Sequence, residues 1–122
     1  MNSKHHTSRR ETPAYTTKDG SQIRELMHPS SHTSQNQSLA EAVVPAGTST
    51  RLHRHQNSEE LYHITVGSGM MRLADKEFEV KAGDTVCIAP GTAHCICNTG
   101  DGDLVILCCC SPAYRHEDTE LL

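Results

Sequence analysis

Large aromatic side chains are almost absent from this chain: it has no Trp, one Phe and three Tyr. A core built without them must come from Val, Ile, Leu, Ala and Cys, which suit the pleated surface of narrow β-strands. Long apolar runs are missing too. "LVILCCC" (residues 104–110) is far too short to cross a bilayer as a helix. Positive charge is not in excess: 11 Lys and Arg stand against 15 Asp and Glu, a net −4 at neutral pH. That balance gives no electrostatic footprint for nucleic acid or an anionic membrane, so neither is expected as a partner. The opening "MNSKHHTSRRETPAY" holds no apolar stretch of the kind a secretion signal needs, and the cytoplasm is the expected compartment. No pair of C-x-x-C knuckles occurs, which argues against a closed structural zinc site.

What is present begins with cysteine. Six of them (Cys87, Cys95, Cys97, Cys108, Cys109, Cys110) crowd the last third of the chain. A disulfide-stapled domain would spread them out, and neighbours on a strand face opposite ways. They read as reduced, mainly buried small hydrophobes. The 122 residues suffice for one modest core. Residues 1–13 are polar and are expected as a disordered tail, with His5 and His6 solvated in it. Residues 14–111 form the expected folded domain. The last segment, 112–122, is expected as a tail that packs back on the barrel or on a dimer partner, covering an exposed strand.

Between those limits the chain is written as short strands. "YTTKDGSQIREL" carries Asp19-Gly20 between two extended segments, a hairpin signal. "HPSSHTSQNQ" reads as a loop, with His28 and His32 as loop residues. "SLAEAVV" alternates, with Ala40, Ala42 and Val44 on one face as the expected inner lining and Leu39, Glu41 and Val43 on the other. Strands follow in "TSTRLHRH", "EELYHITV", "MMRLADKEFEV" (turning at Ala74–Lys76), "TVCIA", "HCICN" and "LVILCCC", divided by Gly- and Pro-bearing turns. No helical periodicity of useful length appears. The expected fold is all-β, an antiparallel sandwich or barrel.

One stretch concentrates the chemistry: "RLHRHQNSEELYHI", residues 51–64. Strand alternation puts His53 and His55 on one face about 7 Å apart, a chelating spacing. The polar "QNS" allows a hairpin that would bring a glutamate from the next strand back to them. Glu59 and Glu60 point opposite ways, so only one of the two can be a ligand. His94, opening the strand after "PGTA", offers a further nitrogen.

These residues resemble the cupin family. Its first motif, G-x5-H-x-H-x3,4-E-x6-G, is met by Gly47, His53, His55, Glu60 and Gly67. Its second, G-x5-P-x-G-x2-H-x3-N, is met by Gly83, Gly91, His94 and Asn98, with Ala89 in place of the usual proline and Pro90 directly after it. The resemblance spans about residues 38–110. It implies a jelly-roll barrel, usually dimeric, and metal ligands at His53, His55, Glu60 and His94, which selects Glu60 over Glu59. Three imidazoles and a carboxylate suit one divalent ion of Fe, Mn, Ni, Co or Zn. Around an octahedral ion they leave two positions open, as a catalytic site needs.

Parity then nominates neighbours. Arg51 would share the face of His53 and either anchor an anionic substrate group or sit at the rim in solvent. Tyr62 would share the face of Glu60 and either hydrogen-bond a bound ligand or pack. His63 should point outward, and His116 belongs to the tail. The functional expectation is a metalloenzyme acting on a small molecule, with dioxygenase-type or other oxidoreductase chemistry first. The alternatives are an isomerase or epimerase, a lyase, a decarboxylase, or a non-catalytic ligand-binding or sensor barrel.

Overall fold

The computed structural model describes residues 4–122 as two antiparallel sheets curved over each other into a jelly-roll barrel. Eleven strands build it: β1 (Tyr15–Thr16), β2 (Gln22–Met27), β3 (Ser38–Val44), β4 (His53–His55), β5 (Glu59–Val66), β6 (Ser68–Leu73), β7 (Lys76–Lys81), β8 (Thr85–Ile88), β9 (His94–Asn98), β10 (Leu104–Ser111) and β11 (Thr119–Leu121). One sheet runs β1-β2-β3-β10-β5-β8 and the other β11-β4-β9-β6-β7.

Alternation decides what goes inside. On β10, Leu104, Ile106, Cys108 and Cys110 are buried while the residues between them are partly exposed. On β5, Glu60, Tyr62 and Ile64 are buried and their neighbours exposed. The centre of the barrel is aliphatic, filled by Ile64, Met71, Ile88, Ile96, Leu104 and Ile106, as a chain without Trp requires. The cysteines divide differently from expectation. All six are free, but only Cys108 and Cys110 are buried, because strand parity turns Cys87, Cys95, Cys97 and Cys109 outward.

Gly67 shows why the spaced glycines are there. It joins β5 to β6 at φ 90°, and a side-chain carbon in its place would lie 2.7 Å from the Asp103 carbonyl oxygen. Only glycine fits that turn.

Two expectations change on contact with the structure. Residues 4–13 are not a loose tail. The Thr7 hydroxyl donates to the Leu26 carbonyl at 2.7 Å, and Arg9 Nε donates to Glu41 Oε1 at 2.7 Å from a 3₁₀ turn, Arg9–Glu11. The cause is Glu41: a buried carboxylate on the outer face of β3 needs cationic partners, and Arg9 and Arg24 supply them. The expectation for residues 1–3 lies outside the described residues.

The "QNS" turn is not a hairpin either. β4 and β5 belong to different sheets, and β4 is already paired on both sides, with β9 and β11. The turn is a crossover, so Glu60 meets the histidines across the barrel interior rather than from a neighbouring strand.

The C-terminal segment explains how that crossover is held. β11 pairs with β4 of its own barrel, Thr119 opposite His55 and Leu121 opposite His53, and so covers an edge that would otherwise be open. Just before it, the buried Asp118 carboxylate accepts from Asn57 N (2.9 Å), Asn57 Nδ2 (2.7 Å) and Ser58 N (3.1 Å). Asp118→Ala would leave those donors without their acceptor. It is expected to lower unfolding free energy by roughly 2–3 kcal/mol, measured as an earlier urea midpoint at unchanged slope. A midpoint equal to wild type would show that water serves the turn as well.

Candidate metal centre

His53 and His55 both face the interior from β4, and His94 opens β9 directly opposite His53. Glu60 comes from β5 in the other sheet. All four are buried, His94 completely.

The outer nitrogen of each ring is fixed by an oxygen. His53 Nδ1 lies 2.6 Å from the Arg51 carbonyl and His94 Nδ1 lies 2.9 Å from the Thr92 carbonyl. A carbonyl can only accept, so each Nδ1 carries the proton. His55 Nδ1 lies 2.9 Å from Thr119 Oγ1, whose own hydrogen goes to the Arg115 carbonyl at 3.0 Å. Thr119 therefore accepts from His55. All three rings turn Nε2, with its lone pair, toward a common point, and the three lie within 4.8 Å of one another.

Facing them are carboxylate oxygens. Glu60 Oε1 is 3.1 Å from His55 Nε2 and 3.5 Å from His94 Nε2, and Asp19 Oδ2 is 3.6 Å from His53 Nε2. These approaches are short, yet Glu60 Oε1 and His94 Nε2 have no hydrogen-bond partner. Acceptors buried against acceptors are unfavourable. A cation among them removes the conflict, and donors about 2.0–2.2 Å from a zinc-like ion sit at about this mutual spacing. The set therefore fits a divalent transition ion.

The electrostatics run the same way. Burial, with His94 nearby, pushes the His53 imidazole below its ordinary value, toward the neutral form that ligates. Burial also pushes the Cys110 thiol far up, so it remains S–H and donates to Glu60 Oε2 at 3.3 Å. That contact turns the other oxygen, Oε1, toward the rings.

His53, His55 and Glu60 of the cluster line a cavity that opens to solvent. Ala40, Ala42, Val44, Ile96 and Ile106 make an aliphatic wall, while Tyr15, Tyr114 and Glu25 stand nearer the rim. Among the described residues no Lys or Arg lines it.

Sequence-nominated neighbours separate here. Tyr62 is buried and lines the cavity, its ring edge-on to His94 with centroids 5.9 Å apart. Arg51 does not line it: its side chain is exposed. Residues 51–52 precede β4, so strand parity does not extend to them, and Arg51 serves the site through its backbone carbonyl instead. His63 and Glu59 are exposed, with His63 Nδ1 against Thr85 Oγ1. His28 is more than a loop residue, because its Nε2 meets the Tyr114 carbonyl at 2.7 Å and tethers the C-terminal segment. Asp19, Cys110, Tyr114 and Thr119 were not nominated. Only Cys110 carried a signal, since it shares the parity of Ile106 on β10.

Outer partners that fix a ligating imidazole matter to metal affinity. Thr119→Val keeps the shape of the side chain and removes both hydrogen bonds. It is expected to weaken Zn(II) or Co(II) binding by roughly tenfold or more, read by chelator competition, with the apo fold intact by circular dichroism. Affinity within a factor of about two would rule out Thr119 as the group that orients His55.

Comparison with known proteins places the barrel. An uncharacterized protein of Methanocaldococcus jannaschii is 56% identical over 108 residues, 88% of this chain and 86% of that protein. An oxalate-binding protein of Thermotoga maritima is 38% identical over 69 residues, 57% of each chain. Among solved structures, a predicted oxalate decarboxylase from Thermotoga maritima superposes with a TM-score of 0.76 at 26% identity, over 87% of this chain and 97% of that one. A Streptomyces Pac13 variant with uridine superposes at 0.78, over 98% and 92%, but at 14% identity shows likeness of fold alone. The Cupin domain family profile matches residues 40–110, which contain both histidine-bearing motifs, and the chain belongs to that family.

Proposed function

We propose that the protein holds one divalent transition-metal ion through His53, His55, His94 and Glu60 and acts as a metalloenzyme on a small oxygen-bearing molecule. The carrying observation is the convergence of buried acceptor atoms with no donor between them, His94 Nε2 and Glu60 Oε1 above all. Such an ion supplies Lewis-acid charge and open coordination positions.

The chain's own residues set the rest. The aliphatic wall excludes water and takes an apolar portion of the ligand. Glu25 offers the rim a hydrogen-bonding group: its Oε1 is buried without a partner, and Tyr15 Oη donates to Oε2 at 3.3 Å. Burial pushes the Glu25 carboxyl above the usual carboxylate range, toward a form that also donates. With no Lys or Arg in the lining among the described residues, a ligand carrying several free negative charges finds nothing but the ion to balance them, whereas a neutral or singly charged chelator is well matched. Dioxygen-dependent oxidation is the first reaction class this arrangement suggests. Isomerisation, elimination and decarboxylation use the same charge on the same floor.

A second reading has a specific support. The Thermotoga maritima relative named an oxalate-binding protein, 38% identical, favours a non-catalytic barrel for a small chelating carboxylate.

Metal analysis after anaerobic reconstitution tests the shared premise. Wild type is expected to retain about one ion per chain, and His53→Ala or His94→Ala to lose it. The loaded protein is then screened for oxygen uptake with catechols and diketones, and titrated with oxalate calorimetrically. Metal-dependent uptake supports the enzyme. Oxalate binding without turnover supports the second reading, and wild type free of metal overturns both.

A further inference from the structure

We propose that Asp19 is a fifth protein donor to the same ion, a second carboxylate delivered by the hairpin between β1 and β2. The inference rests on the metal reading above and adds to it a residue that lies outside both histidine motifs.

The hairpin is a tight turn. Ser21 O accepts from Thr17 N at 3.0 Å, Thr17 O accepts from Gly20 N at 3.0 Å, and Gly20 takes φ 95°. It is fastened to the centre from two sides. The Asp19 carbonyl accepts from Arg51 N at 2.8 Å, two residues before His53. Lys18 Nζ donates to the carbonyls of His116 (3.1 Å) and Thr119 (2.8 Å), beside the group that orients His55. The backbone carrying Asp19 is therefore held against the same two segments that hold His53 and His55.

Its side chain is fixed as well. Oδ1 accepts from Ser21 N at 2.9 Å and Ser21 Oγ at 2.6 Å, both buried. That leaves Oδ2 facing His53 Nε2 at 3.6 Å. The proton of that ring is on Nδ1, against the Arg51 carbonyl, so an oxygen lone pair confronts a nitrogen lone pair. Glu60 Oε1 stands in the same relation to His55 and His94, at 3.1 and 3.5 Å. Each carboxylate thus stands against the group of three ring nitrogens, Asp19 on the side of His53 and Glu60 on the side of His55 and His94.

The turn does not account for the charge. Oδ1 alone completes the side-chain-to-backbone turn, and an asparagine would do it equally well. A buried carboxylate in its place is unfavourable unless something cationic faces the second oxygen. With Asp19 and Glu60 both bound, a divalent ion is formally neutralised. Asp19 would then take up one of the positions that four protein donors leave to an incoming ligand.

Asp19→Asn separates the two roles, since it keeps the turn and removes the anionic donor. Wild type, Asp19→Asn, Ser21→Ala and His94→Ala are loaded with Co(II), and their affinity is read by chelator competition beside the visible absorption of the bound ion. Apo circular dichroism checks the fold. Asp19→Asn is expected to bind Co(II) roughly tenfold or more weakly, with a changed Co(II) spectrum. Ser21→Ala, which frees Oδ1 but leaves the donor, is expected to show a smaller loss in the same direction. Asp19→Asn within a factor of about two of wild type and with an unaltered spectrum, while His94→Ala loses the ion, overturns the proposal and leaves the four-ligand site standing. Should Asp19→Asn fail to fold, an unchanged affinity and spectrum in Ser21→Ala overturns it. Wild type that takes up no Co(II) overturns the site and the proposal together.

Discussion

Lone pairs that face one another inside an aliphatic barrel are the constraint on which this structure turns. Three imidazole nitrogens and a glutamate oxygen meet where water is largely excluded, and two of those atoms have no partner. Left alone the arrangement is unfavourable, because each buried acceptor has given up water for nothing. Much of the surrounding architecture keeps it from relaxing. Two backbone carbonyls and one threonine hydroxyl pin the outer faces of the rings, and a thiol pins the far oxygen of Glu60. The barrel thus stores a preference for a cation in hydrogen bonds that never touch it.

The ends of the chain do much of that pinning, although the family motifs lie wholly between them. β11 closes the edge of β4 and brings Thr119 to His55, and Asp118 holds the crossover that lets Glu60 enter from the opposite sheet. The β1–β2 hairpin is tied to the C-terminal segment through Lys18 and to the chain entering β4 through Arg51 N, and its Thr17, Asp19 and Ser21 line the cavity. Folding and ligation are consequently coupled. An ion bound only by the assembled centre stabilises the docked termini as well as the ligands, in proportion to its affinity.

Much of this was legible in the sequence, for reasons that can be named. Period-two alternation separated Ala40, Ala42 and Val44 from Glu41, put His53 beside His55, and sent His63 out. It worked because strands such as β5 and β10 have one buried face, which fixes parity, while on β3, buried on both faces, the wholly apolar set marks the inner one. What parity cannot report is which strands pair. "QNS" has the composition of a hairpin turn, and nothing local shows that β4 has both neighbours already, so the turn appeared as a hairpin instead of a crossover. Of the two places open to Arg51 the exposed one holds, because alternation does not reach past the start of β4 into a segment fastened by Asp19. Asp19 was hidden by its own neighbour, since Asp-Gly explains itself as turn chemistry and masks a side chain aimed at the centre. Composition alone marks residues 4–13 as a tail. Polar segments pack when a buried charge such as Glu41 asks for a partner, which is a long-range fact.

The same long-range logic bears on what the cavity admits. Among the described residues its acidic lining is Asp19, Glu25 and Glu60 with no Lys or Arg beside them, so in the proposed site the balancing positive charge comes from the ion. Charge recognition and metal recognition are therefore one property here rather than two. A ligand that competes with a carboxylate for the ion also alters the charge of the floor it lands on, and the aliphatic wall gives that change little dielectric screening. Selectivity in such a site follows from how much negative charge an incoming molecule adds and how many donor atoms it presents. Shape complementarity to Ala40, Ala42 and Val44 acts second, because small side chains impose few steric demands. A barrel of this build discriminates by coordination chemistry first and by contour afterwards.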